Sequence, residues 1–167
     1  MIRTLIKIAF TLTMLATLAA CGGGGGGAAG ITTTPVTLKL ATTGTPSANL
    51  SGVGITITLP DGVTPPLNGD GTVAGSAITA SGAASPGTVL APIYTPATAT
   101  AKGKLHFAMA SSIVAGFGAG EFATVTLNVV AGKTLAKADF TLSDFAPIDT
   151  LGNVATGVTA EVTSLVQ

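Results

Sequence analysis

Few residues in this 167-residue chain are of a type that does chemistry: one cysteine, one histidine and seven carboxylates. Cys21 has no second cysteine with which to close an intramolecular disulfide, and no general base near it in sequence to make a reactive thiolate. His106 alternates with Leu105 and Phe107 in "KLHFAM", so a strand there turns it away from the core. Serine-type hydrolysis needs a nucleophile beside the imidazole, and a metal site recruits more than one His or Cys. The sequence marks neither. Asp61, Asp70, Asp139, Asp144 and Asp149 fall mostly at the ends of apolar runs, where Asp, Asn and Gly make turns. "NGDGT" at 68–72 looks superficially like a calcium loop, but the alternating ligands and the bidentate glutamate of such a loop do not follow it. No paired carboxylates are marked for glycoside hydrolysis either. The expectation is a non-catalytic protein with no catalytic residue, no metal ligands and no cofactor.

The aromatic residues speak to binding. Sugar-binding surfaces stack rings on exposed Trp or Tyr, and this chain has no Trp and one Tyr, Tyr94. Phe107, Phe140 and Phe145 are expected in the core. Phe117 and Phe122 flank "GAGE" and have two readings, a partly exposed apolar spot able to anchor a protein partner or the packing of a strand end. Thr124, Thr126 and Asn128 would share one strand face and offer polar groups to a partner or a polysaccharide. Beyond residue 20 there are five lysines against seven acids, a formal charge of −2, which gives nucleic acid nothing to hold.

The elements that must position these residues follow from the pattern of side chains. Arg3 and Lys7 precede an uncharged, mostly apolar run from Ile8 to Ala20, the layout of a secretory signal over 1–20. That run is too short to span a bilayer before glycine ends it. Residues 21–33 hold Cys21 and then "GGGGGGAAG", a flexible tether spanning roughly 15 to 18 Å. From 34 to 167, apolar residues alternate with threonine in short runs bounded by Gly, Pro, Asp or Asn, the mark of half-buried strands. Strands are expected at 36–42, 52–60, 72–80, 88–95, 104–110, 122–130, 139–145 and 158–166. Val125, Leu127 and Val129 would meet Ile55 and Ile57 in one core, and "GKTLAKADF" at 132–140 reads as a crossover loop. The fold class is all-β, two antiparallel sheets of eight or nine strands packed face to face.

Leu18-Ala19-Ala20-Cys21 resembles the lipobox of bacterial lipoproteins at all four positions. The resemblance implies cleavage between Ala20 and Cys21, a diacylglycerol on the Cys21 sulfur and an acyl chain such as palmitate on its new amino group. Two or three acyl chains anchor stably where one binds only reversibly. Gly22, standing where an aspartate favours retention in the inner membrane in that family, implies a lipid-anchored position at the outer membrane of the cell envelope.

"GVGITITLPDGV", "GFGAGEFATVTLNVVAG" and "DFTLSDFAPIDTLGNVATGV" together resemble the cohesin-like domains, jelly-roll β-sandwiches related to a class of carbohydrate-binding modules. The resemblance implies a sandwich that binds another protein, in that family notably a dockerin, through one sheet face. Polysaccharide binding by the same sandwich, or side-by-side assembly of its edges into a surface layer, are the alternatives.

Overall fold

The computed structural model describes residues 32–167. The signal segment, the Leu18–Cys21 motif and the polyglycine run lie outside the described residues. Alternating burial makes nine strands: β1 (Thr33–Gly44), β2 (Leu50–Leu59), β3 (Val63–Thr64), β4 (Ile78–Ala80), β5 (Gly87–Thr95), β6 (Gly103–Ser111), β7 (Gly120–Val130), β8 (Thr141–Asp149) and β9 (Val158–Val166). Two single 3₁₀ turns, Gly82–Ala84 and Lys137–Asp139, are the helical segments among the described residues.

One sheet runs β3-β7-β1-β9, with β4 also on β7; the other runs β5-β6-β2-β8. All pairings are antiparallel. β3 pairs with Val129 and Asn128 and β4 with Val125 to Ala123, so the two form one broken edge strand. Successive strands mostly change sheet, the wrapped connectivity of a jelly-roll sandwich. The 131–140 segment crosses from β7 to β8, as its sequence suggests, with one 3₁₀ turn inside it.

The core lies between the sheets. Val36, Leu38, Leu40, Val125, Leu127 and Val129 face Val53, Ile55, Ile57, Leu105, Phe107 and Met109, all buried. Each such side chain contributes about 1.5 to 3 kcal/mol by leaving water. Phe140 is buried with them, and Phe145 packs half-buried against their rim.

Two departures from the sequence pattern matter. The strand expected at 72–80 is reduced to Ile78–Ala80, because Thr72–Ala77 bends into a loop closed by Ala74 N–H donating to the Pro66 carbonyl and Ala77 N–H to the Ala74 carbonyl. A β-bulge separates Leu40, opposite Ala123, from Ala41, opposite Glu121. Phe122 is the extra residue, and the bulge resets the phase of β7 so that Phe122 and Ala123 are both fully buried.

Edge strands expose unpaired backbone groups that invite further pairing. β5 and β8 each carry a bulge with a left-handed non-glycine residue, Ala91 at φ 44° and Asp144 at φ 51°, and each contains a proline, Pro92 and Pro147. Both features spoil an edge as a template.

Candidate functional site

Sheet geometry decides where each candidate side chain stands. On β7, Thr124, Thr126 and Asn128 alternate with buried Val125, Leu127 and Val129, and so line the outer face, half-buried, opposite Lys39, Thr37 and Pro35 of β1. At Thr124 and Lys39 this face is internally paired. The Lys39 ammonium lies 3.0 and 3.2 Å from the two Glu121 oxygens, and the Thr124 hydroxyl donates to the Ser81 Oγ at 3.1 Å. The Ser81 hydroxyl, and after it Lys39, hold the Glu121 carboxyl below the ordinary glutamate range.

Phe117 and Phe122 do not form an exposed spot. Phe117 is 4% exposed and Phe122 fully buried. The bulge turns Phe122 inward, while Phe117 is drawn under its loop by paired backbone hydrogen bonds with Leu50, at 2.8 Å in each direction. Of the expected partner-binding residues, the threonines and Asn128 therefore share a surface and the two phenylalanines belong to the core.

His106 is exposed on the outer face of the other sheet, where Thr56 Oγ1 is 3.0 Å from its Nδ1. Ser143, whose hydroxyl lies 3.3 Å from Asp144 Oδ2, pairs with Thr56 from the opposite side. Serine and histidine are thus two strand spacings apart, about 10 Å, too far for a nucleophile and its base. Tyr94, half-buried against the core, has its phenol pushed up by that burial.

The aspartates do local work. Asp70 Oδ1 accepts from the Thr72 amide and hydroxyl, which lower its pKa, and Asp139 Oδ2 accepts from the Ala136 amide. Asp149, 8% exposed, accepts from the amides of Leu151 and Asn153, each at 2.8 Å on Oδ1. These bonds, that of Asn153 foremost, hold its carboxyl below the ordinary aspartate range. Among the described residues no three His, Cys, Asp or Glu gather as metal ligands do, and no helix is long and apolar enough to cross a membrane. A shallow groove of about 460 Å³ runs between β8 and β9, lined among others by Lys137, Phe140, Leu142, Glu161 and Val162.

The surface that stands out lies at the end where β1 finishes at Gly44. Three loops meet there, 45–49, 112–119 and 150–157. Asn49 Nδ2 donates to the Ala115 carbonyl, the Thr150 amide to the Asn49 carbonyl, and the Ser47 amide to the Thr156 carbonyl. Gly44 and Gly157, at φ +99° and +79°, close the β1–β9 corner so tightly that a Cβ on either would strike backbone carbonyl. These loops, and 81–86 beside them, contain no charged residue. From them project Val114, 97% exposed, Leu151, 83%, and Val154, 68%. Large apolar residues set inside Gly- and Asn-bearing turns, "SIVAG" and "TLGNV", were the available sequence signal, but only the fold brings them together.

The opposite end, where the described chain starts at Thr32, differs. Thr32 is held there by the Ala131 amide, beside the 60–62 turn, the 96–102 hairpin and the 131–140 crossover. Lys102, Lys104 and Lys133 belong to this end, while Lys137 reaches from the crossover to the Thr163 carbonyl on the β9 edge. No protein-family model matches the chain, and no curated protein or solved structure matches it.

Proposed function

We propose that the chain is a non-catalytic, lipid-anchored module of the bacterial cell envelope, held at the outer membrane through Cys21, which engages a protein partner with its β-sandwich. The observation that carries the binding half is the Gly44 end, whose uncharged loops hold Val114, Leu151 and Val154 in water. Exposed apolar residues on cross-bonded loops that carry no charge mark a contact surface, because their desolvation favours association and no loop charge must be stripped of water. Anchored loops lose little entropy on docking, and cross-bonding of 45–49, 112–119 and 150–157 supplies that rigidity. The anchoring half rests on the Leu18–Cys21 motif.

The binding test uses residues 32–167, which carry all nine strands and form one compact unit. This bait is immobilised against envelope and secreted fractions of the source bacterium. The retained protein is then purified, and its affinity measured for the parent and for V114D and L151D/V154D. Burying one such side chain is worth about 1.5 to 3 kcal/mol, so the double variant should weaken binding by tenfold or more. Equal affinity across all variants would remove the Gly44 end from the interaction. For the anchor, C21S should release the protein from the membrane fraction and abolish the acyl mass on its first residue.

A further inference from the structure

The Thr32 end has a chemistry of its own. Three of the five lysines in the described residues stand there: Lys102 in the β5–β6 hairpin, Lys104 at the start of β6 and Lys133 in the crossover, with Lys137 further along the same crossover. The topology gathers the first three around the 60–62 turn, whereas Lys137 reaches along the β9 edge. Lys104 pairs with Thr58, two residues before the Pro60-Asp61-Gly62 turn; the Lys133 ammonium binds the Asp61 carbonyl; and Val130 N–H donates to the Gly62 carbonyl at 3.0 Å. Lys137 donates to the Thr163 carbonyl at 3.2 Å.

None of the four is matched with a carboxylate. The one ion pair among the described residues is Lys39–Glu121, on the sheet face away from this end. Lys133 and Lys137 rest on neutral carbonyls, which fix their ammonium groups without cancelling their charge. Asp139 spends its carboxylate on the Ala136 amide, and Asp61 is exposed in its turn. The end therefore carries Lys102, Lys104 and Lys133 against Asp61, three positive charges to one negative, in a domain whose overall formal charge is −2, while Lys137 on the β9 edge has Asp139 two residues on and Glu161 in the same groove.

We propose that the Thr32 end is a membrane-facing surface that seats on anionic phospholipid headgroups. This deepens the lipid-anchored reading and rests on it for the source of the membrane. Two observations select this occupant over a second copy or a soluble anion. The charge is complementary to a headgroup layer and spread over several loops rather than focused on one point. The described chain also begins at Thr32, on this same end, so the link to Cys21 attaches here. A tether of roughly 15 to 18 Å keeps this end within reach of the headgroups, and on approach inside a Debye length, about 10 Å at 0.1 M salt, each lysine contributes roughly a fivefold gain in partition. Seating this end would turn the Gly44 end away from the bilayer.

Residues 32–167, which lack Cys21, are sedimented with vesicles rich in phosphatidylglycerol and with vesicles of phosphatidylcholine alone. Binding to the anionic vesicles only, lost as salt rises from about 0.1 to 1 M, is expected because the Debye length shrinks to about 3 Å. K102E/K104E alters two exposed side chains that hold no hydrogen bond in the fold, and should lower that binding at least tenfold; K39Q should leave it unchanged. Competition by free inorganic phosphate at millimolar concentration would mark an adventitious anion site and overturn the proposal. So would equal sedimentation with both vesicle types. A mature chain without acyl groups on Cys21 would instead overturn the anchored reading, and leaves the vesicle result to stand or fall by itself.

Discussion

The Thr32 end carries Lys102, Lys104 and Lys133 around its turns, whereas the loops of the Gly44 end hold no charge and raise Val114, Leu151 and Val154 into water. The same strands serve both ends, and the same apolar core lies between them. The difference is confined to the connections, where a substitution costs the fold least. It also shows in how each end uses its acids. At the Gly44 end, Asp149 is buried and spends its carboxylate on the amides of the loop that carries Leu151 and Val154, so its charge is held beneath the apolar surface by that loop's own backbone. At the Thr32 end the lysines stay unmatched and exposed. A molecule with one basic end and one uncharged apolar end has a built-in orientation, and the two surfaces can be attacked separately.

The largest effect should come from beneath the apolar end. Phe117→Ala empties the site on which the 112–119 loop rests and should cost about 3 to 5 kcal/mol in urea unfolding. Val130→Ala, 37% exposed at the other end, should cost within about 0.5 kcal/mol. A small loss for Phe117→Ala would mean that the apolar rim stands independently of the core.

Gly157→Ala should come next, because its Cβ meets the Thr45 carbonyl and its φ of +79° suits glycine. Roughly 1 to 3 kcal/mol should disappear from thermal stability, with a corresponding loss of amide protection in 45–49 and 150–157.

Acid separates the ends more finely. The folded Asp149 carboxyl titrates below its unfolded value, so the stability it contributes is complete above about pH 4 and is lost as pH falls through the folded value. Hydrogen exchange followed downward from pH 4, corrected for the intrinsic rate, should therefore accelerate at Leu151 and Asn153 before it does at Ala131 or Val130. Uniform acceleration at both ends would sever the link between Asp149 and its loop.

The smallest expected effects are those that make the comparison useful. L151D/V154D and K102E/K104E should each leave unfolding free energy within about 0.5 kcal/mol of the parent, since all four side chains are exposed. If either pair destabilised the fold markedly, that end would be structural first and a contact surface second.

Much of the sandwich was legible in alternation. "FATVTLNVV" and "GVGITITLP" place Val125, Leu127, Val129, Ile55 and Ile57 in the core, and "VTAEVTSLV" coincides with β9 to the residue. Burial of one strand face requires a period of two, and these segments keep it. The two-residue β3 and the bending of 72–77 were not legible, because neither has enough residues in phase to declare itself. The outward position of His106 and the turn roles of Asp70, Asp139 and Asp149 were legible from neighbours in sequence, since both are set within a few residues.

The candidate surfaces were harder to read. Thr124, Thr126 and Asn128 share a face as their spacing requires, but whether that face is free or already satisfied depended on Ser81, Lys39 and Glu121 arriving from other strands. By itself the sequence determined an all-β chain with an apolar stripe on each long strand and a cysteine in a lipobox-like setting. Tertiary structure alone decided that a bulge opposite Leu40 and Ala41 would send Phe122 inward, that the loops bearing Val114 and Leu151 would be joined through Asn49, and that Lys102, Lys104 and Lys133 from separate segments would gather at the Thr32 end. Alternation is local, set by the geometry of one strand, whereas register and the grouping of loops depend on partners far away in the chain.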